Sequence, residues 1–194
     1  VDNRNHGLVR DLLEETAPDA VVLLEVTRGW EEGLEEAFAA YPYRHVIPRA
    51  DSFGIAVCSR LPVEHWEELA LDGGLPAVAA RIRVGQRGLT LLGAHVMPPL
   101  TPALWRTRNR HFRTLAARAS AEQGPVVLAG DLNTTAWSSH FADLLRDSGL
   151  SDARRGQGVL PTWPARPWPM RIALDHCLVS PDVSVTDLRL GPDV

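Results

Sequence analysis

VVLAGDLNTT, residues 126–135, carries four apolar residues into a glycine and then sets an aspartate and an asparagine two positions apart, at 131 and 133. A short apolar run closed by glycine reads as a buried strand, and the polar pair falls where that strand leaves the core. Strand ends and the loops after them are held by the scaffold yet open to water, which is where layered folds gather reactive groups. Taken alone, Asp131 or Asn133 also suits a turn or the cap of a following helix, so the rest of the chain has to choose between these readings.

Working outward, the same pattern recurs. Glu25 directly follows the apolar run 20–24, His95 ends LTLLGAH, and Asp175 interrupts RIALDHCLVS. Four segments each deliver a polar side chain where apolar sequence stops. Several carboxylates with an amide and an imidazole, and no thiolate cluster, suit a hard, oxygen-preferring cation such as Mg²⁺ or Mn²⁺.

The surrounding elements alternate. Helical spacing of Leu8, Leu12 and Leu13 predicts a helix over 6–16, broken at Pro18 before the strand 20–24. A second helix is expected over 31–40, with Glu31, Glu32, Glu35 and Glu36 on its wet face. Strands are predicted at 44–47, 54–59, 64–70, 77–84 and 89–95, with turns at 61–62, 72–74 and Gly85, giving an antiparallel meander in the middle third. A long helix over 102–122, the strand 126–129, a helix over 136–146, a Pro/Trp-rich loop at 160–170 and strands at 172–179 and 183–190 complete the chain. Interleaved helices with strands in antiparallel succession favour a layered α/β sandwich over a doubly wound parallel sheet.

The 194 residues, 45% hydrophobic and 23% charged, fit one globular domain with a sizeable core. No apolar run approaches the roughly 20 residues of a membrane-spanning helix, and no basic-then-apolar leader opens the sequence, so the chain as given reads as soluble. Cys58 and Cys177 each sit in apolar sequence without metal-ligand spacing and are expected as free buried thiols, which leaves the redox compartment open. A net charge of −4 argues against a generic polyanion-binding surface, although all 20 basic residues are arginine, the better bidentate phosphate ligand. Arg106, Arg110 and Arg113 stack at helical spacing as a solvated face or a phosphate-steering edge. Trp163 and Trp168 either pack their loop, stack a base or touch a lipid.

The ordered set PDAVVLLEV (18–26), GIAVCSRLPV (54–63), GAHV (93–96), RNRHF (108–112), GDLNTT (130–135) and ALDHCLVS (173–180) resembles the endonuclease/exonuclease/phosphatase superfamily over nearly the whole chain. The resemblance is closest to a compact bacterial branch with a PTWP-like loop, here 161–164. It implies a DNase I-like, four-layered α/β sandwich of two mixed, largely antiparallel sheets flanked by helices, and Mg²⁺- or Mn²⁺-dependent hydrolysis of phosphate esters. Position by position, it implies that Glu25 anchors the metal and that Asp131 orients or deprotonates the attacking water. Asn133 then hydrogen-bonds the phosphate or Asp131, His95 contacts phosphate, Asp175 orients the catalytic imidazole, and Arg108 lies nearest the substrate. With Asp131 and Asn133 on one extended segment, both side chains are expected on one side, addressing one phosphate. His176 is not that imidazole, which in the family comes from a later motif.

The sequence departs from the family twice. The metal-binding Asn of the family's first strand would fall a few residues before Val1, with Asn3 and Asn5 following it, and a Ser-Asp-His motif is expected after VSVTDLRL. The expectation is a single domain over 1–194, trimmed at both ends and weak or inactive as it stands. Asp175, without its imidazole, is expected either to face an open, water-filled cleft or to pair with a nearby donor such as Arg171 or an arginine of the 105–118 helix, with Glu25, Asp131, Asn133 and Asp175 converging on one cleft, the last residues near its rim and no histidine in hydrogen-bond reach of Asp175. The alternatives are a catalytically inactive family member that binds phosphate or a partner, and an unrelated α/β domain. Candidate substrates are nucleic acid, phospholipid head groups and small phosphates, with low basicity disfavouring unspecific duplex binding. A monomer without an obligate protein partner is expected, and an upstream membrane anchor would make it an extracytoplasmic bacterial domain.

Overall fold

A computed structural model of the chain describes residues 5–158, 160–164 and 171–192. Asn3, Trp168 and the final residues at 193–194 lie outside the described residues. Strands β1 (Ala20–Leu24), β2 (Tyr43–Ile47) and β3 (Ile55–Ser59) form one sheet in the order β1-β3-β2. The second sheet holds β4 (Val63–Leu71), β5 (Leu75–Val84), β6 (Arg87–Ala94), β7 (Val126–Asp131), β8 (Ser151–Asp152) and β9 (Asp175–Val179), in the order β4-β5-β6-β7-β9-β8. Every strand pair is antiparallel except β6 with β7.

The alternation of side chains along each strand builds the layers. All five residues of β3 are buried. Ile55 and Val57 face the second sheet, packing with Val78, Ala80, Ile82 and Leu91. Ala56 and Cys58 face the opposite way, into a core with Leu34, Phe38 and Tyr41. That outer core is roofed from the helices α1 (His6–Thr16), α2 (Arg28–Gly33) and α3 (Glu35–Phe38). On the far side, α4 (Pro102–Ser120) and α5 (Ser139–Ser148) cover the second sheet through Phe112, Leu115, Phe141 and Leu144 against Leu92, Leu128 and Leu178. The result is helix, sheet, sheet, helix: the four-layered sandwich. Gly93 sits where the sheets meet, and a Cβ there would come within 3.0–3.2 Å of Val22, Val57 and Ile55 side chains.

Several local expectations need correction. The helix expected over 31–40 is two short helices, because α2 ends at Gly33 and Leu34 leaves helical geometry to bury itself at 1% exposure. The middle strands do not form one meander: β2 and β3 belong to the first sheet, and only β4, β5 and β6 run as a meander. Residues 183–190 form no strand, and the two-residue β8 beside β9 was not foreseen. The last helix begins at Ser139, three residues later than expected. Cys58 is buried, Cys177 half-buried, and both are free. No described helix is long and apolar enough to cross a membrane.

Candidate active site

The topology brings four chain segments to one end of the sandwich. β1 stops at Leu24 and β6 at Ala94, so Glu25 and His95 each follow directly. β7 runs parallel to β6 and ends on Asp131, while β9 starts on Asp175, its antiparallel register partner. Glu25, His95, Asp131 and Asp175 therefore line one cleft of ≈ 310 Å³, whose opposite wall is apolar, from Val9, Leu23, Val26, Trp30 and Leu34. Among the described residues, no positively charged side chain lines it.

Asp131 reaches this cleft because of the residue before it. Gly130 has φ +147, and a Cβ there would stand 1.9 Å from the Ala94 carbonyl oxygen. Only glycine lets β7 come this close to β6 where both strands end. The Asp131 backbone carbonyl then accepts from the Val96 N–H at 3.0 Å, tying the two strand ends together.

The Asp131 carboxyl is pushed up to about 7. Burial is the chief cause, and the Asp175 and Glu25 carboxylates add to it against the Asn133 N–H, which donates to Oδ1 at 2.7 Å. Like charges crowded into a poorly solvated cleft raise the cost of ionising any one of them. His95 is 5% exposed, packed on the Phe53 ring at 4.9 Å, and its Nε2 lies 3.6 Å from Asp131 Oδ2. Burial lowers its pKa although Glu25, the Ser52 backbone and Asp175 all favour the charged form. Its Nδ1 is buried and makes no hydrogen bond of good geometry among the described residues. Burial of His95 thus opposes the positive charge that the neighbouring acids favour.

Asn133 has φ +45, so the extended backbone stops before it, while the alternation of burial continues, with Leu132 and Thr134 buried and Asp131 and Asn133 half-buried. Its Nδ2 donates to the Val96 carbonyl at 2.9 Å, and only its backbone N–H addresses Asp131. Leu132 between them is fully buried in the core. Glu25 also has a positive φ, +58, at an exposed position on the rim. Asp175 is exposed, and its carboxylate makes no hydrogen bond or ion pair among the described residues, histidines included. Residues 188–190 run beside it, with Leu188, Arg189 and Leu190 lining the adjoining hollow.

Arg108 is not where a solvated or steering arginine would be. It is 4% exposed, and burial lowers its pKa. Its Nε and Nη2 donate to Asn109 Oδ1 and its Nη1 to the Asn133 carbonyl at 3.0 Å. Of its helical neighbours, Arg110 pairs with Asp72 at 2.5 Å. Trp163 is 58% exposed in a bridge to Ile172.

Three residues behind the site escaped the sequence reading. His176, set aside as non-catalytic, is buried with Nε2 2.8 Å from the Thr134 carbonyl and Nδ1 2.6 Å from Arg154 Nη2. Arg154 in turn grips Asp152, with Nη2 2.9 Å from Oδ2. The spacing Asp152-x-Arg154 in SDARR was the available signal, but nothing local connects it to a loop 20 residues earlier.

The donor chemistry fits a hard divalent cation: oxygen ligands converge, and beside burial, the larger cause, the Asp175 and Glu25 carboxylates help to lift Asp131. Among the described residues, no group of three or more His, Cys, Asp or Glu is arranged to hold a metal ion.

The model of the Endonuclease/Exonuclease/phosphatase family matches residues 2–194. No curated protein sequence matches the chain. Among solved structures, TDP2 of D. rerio complexed with a single-strand DNA product superposes with a TM-score of 0.77 at 16% identity, covering 90% of this chain and 76% of that one. Sphingomyelinase C from Streptomyces griseocarneus gives 0.69 at 20% identity, covering 92% and 77%. An endonuclease/exonuclease/phosphatase from Beutenbergia cavernae gives 0.69 at 21% identity, covering 93% of this chain and 60% of that one. These likenesses establish the shared sandwich.

Proposed function

The chain belongs to the endonuclease/exonuclease/phosphatase family, and from that premise we propose that it is a divalent-metal-dependent hydrolase of phosphate esters. The observation that carries this reading is the convergence of Glu25, Asp131, Asp175 and His95 on one cleft with an Asp131 carboxyl raised to about 7. Glu25, on the exposed rim, is the residue that would hold Mg²⁺ or Mn²⁺. A bound ion supplies charge neutralisation for a phosphoryl group that carries negative charge into its transition state.

The chain's own residues divide the remaining work. Asp131, poised near neutrality, accepts a proton from the attacking water, since a general base works best with a pKa close to the operating pH. The Asn133 N–H fixes which carboxylate oxygen stays free: Oδ1 is occupied, so Oδ2, on the His95 side, is the proton acceptor. His95, whose Nε2 faces Asp131 Oδ2 at 3.6 Å, contacts a phosphate oxygen. Asp175, lacking a partner, is available to orient an imidazole or a water opposite Asp131. Arg108 acts from inside, holding the Asn133 carbonyl, rather than on the substrate. The apolar wall from Val9 to Leu34 shields the cleft from water and accommodates the organic part of the ester. The TDP2 and sphingomyelinase likenesses leave two substrate classes to compare, a nucleic-acid diester and a phospholipid head group, and the net charge of −4 favours a small or localised contact over broad duplex binding.

The test is hydrolysis of a chromogenic phosphodiester with Mg²⁺ or Mn²⁺. Turnover that requires the metal and falls by about 10²-fold or more in Asp131→Asn supports the reading. Metal-independent turnover, or wild-type rates from Asp131→Asn, would reject it.

A further inference from the structure

The loop that carries Asp131 and Asn133 is gripped by two arginines, the buried Arg108 directly and the half-buried Arg154 at a distance. The direct one is Arg108, on the Asn133 carbonyl. The distant one is Arg154, whose contacts run through His176 to the Thr134 carbonyl on the next residue. The two grips close on adjacent peptide units, and the Leu132 N–H donates to the Leu174 carbonyl at 3.0 Å between them.

The hydrogen-bond inventory leaves His176 one arrangement. A carbonyl oxygen only accepts, so the nitrogen facing Thr134, Nε2, carries a proton. A guanidinium only donates and does not lose its charge, so the nitrogen facing Arg154, Nδ1, is bare. The side chain is fully buried and lies 4.4 Å from the Phe141 ring, so no solvent competes for either nitrogen. Arg154 is itself fixed: Asp152 accepts from its backbone N–H at 3.0 Å and from its Nε and Nη2. Asp152 Oδ2 stands 4.0 Å from Nδ1, and both bond the same guanidinium nitrogen, Nη2.

We propose that Asp152, Arg154 and His176 form a positioning relay that selects the Nε2–H tautomer of His176 and thereby sets the Thr134 carbonyl and the Asn133 N–H that orients Asp131. The role rests on the phosphoesterase reading for its consequence, but not for its geometry. The relay explains why a charged pair and a polar ring are placed in a core where apolar side chains would pack as well: burying an ion pair gives little net stability, whereas it fixes one orientation of whatever it touches. It also explains how β8, only two residues long, matters to the site, since it places Asp152 beside β9.

Long-range ¹H–¹⁵N correlation spectra of the labelled chain read the tautomer directly. His176 should show a protonated Nε2 and a bare Nδ1 at pH 7. A protonated Nδ1 or an imidazolium there overturns the relay. In Arg154→Met, which keeps length and removes the donor, the Asn133 amide should exchange with solvent about tenfold faster while the core amides of Leu92 and Leu128 keep their rates. If that variant does not fold, His176→Gln and His176→Phe replace it: Gln retains one donor and one acceptor and should keep Asn133 protected, whereas Phe should not. Equal Asn133 protection in both refutes the relay. None of these readouts needs a substrate, so failure to find hydrolysis would count against the functional reading alone. Where hydrolysis is measured, loss of the relay should lower kcat about 10- to 100-fold with KM little changed, as for supporting residues behind other sites.

Discussion

Replacing Asp131 with asparagine should make the protein more stable at pH 8 and leave it unchanged at pH 4. The Asp131 side chain is 22% exposed, and its carboxyl is raised from 3.8 to about 7, by burial first and then by Asp175 and Glu25. A carboxyl whose native pKa exceeds its unfolded one binds its proton more tightly in the folded state. Unfolding then releases a proton, and the stability that the protonated group contributes below pH 3.8 is lost as pH rises towards 7. At 1.36 kcal/mol per pH unit, the ceiling on this cost is about 4 kcal/mol. Asparagine keeps the oxygen that accepts from the Asn133 N–H and removes the charge, so a gain of about 2 kcal/mol at pH 8 is expected after relaxation of the cleft. Urea unfolding at both pH values, with equal m-values, measures it. His95, His111 and His176 have lowered pKa values and pull the other way, weakening the fold as pH falls below 6.5. His95 lies 3.6 Å from Asp131 and is coupled to it, so the difference between variant and parent is read at pH 8, above the range in which these lowered histidines take up charge. Mg²⁺ should narrow the gap at pH 8 by stabilising the parent more, through preferential binding to the native state. A variant that is no more stable at pH 8 than the parent would show that Asp131 is not a strained, charge-crowded acid, and the general-base assignment would go with it.

Calorimetric titration of the parent should give weak Mn²⁺ binding that Glu25→Ala abolishes, and equal binding by both would remove Glu25 as the metal anchor. Gly130→Ala places a Cβ 1.9 Å from the Ala94 carbonyl at φ +147, so it should cost about 3 kcal/mol or more, read in scanning calorimetry as a drop of about 2–4 °C per kcal/mol. His111 accepts from the Met97 N–H through Nδ1 and contacts the Asp72 carbonyl through Nε2, and burial lowers its pKa. Unfolding lets it take up a proton, so the parent should lose stability below pH 6.5 and His111→Gln should show a shallower loss there; identical slopes in urea titrations would deny the linkage.

What the sequence disclosed and what it withheld divide along a physical line. The acids of the cleft were legible because each ends or begins an apolar run, and the run's length alone puts its terminus at the edge of a sheet. Position followed from local pattern for Glu25, His95, Asp131 and Asp175, as did every strand that has partners on the strength of its own apolar content. Where a state depends on a distant neighbour, the pattern misled. VSVTDLRL alternates as a half-buried strand should, yet 183–190 finds no strand to pair with among the described residues and stays irregular. Asn133 continues an extended-looking segment, but the Val96 carbonyl claims its amide and turns the backbone to positive φ. Arg108 lies in an arginine-rich helix, between the helically spaced Arg106 and Arg110, and a charged residue there is ordinarily wet. It is buried because Asn109 Oδ1 and the Asn133 carbonyl supply the acceptors that make burial tolerable, and neither partner's orientation is written in the spacing. His176 carries the same lesson further: strand alternation rightly set its side chain opposite that of Asp175, and only the arrival of Arg154 turns that apparently idle position into a fixed donor beneath the catalytic loop. The residues proposed to react are therefore local features of the chain, whereas the geometry around them is a tertiary property, held by charges that sequence patterns assign to the surface.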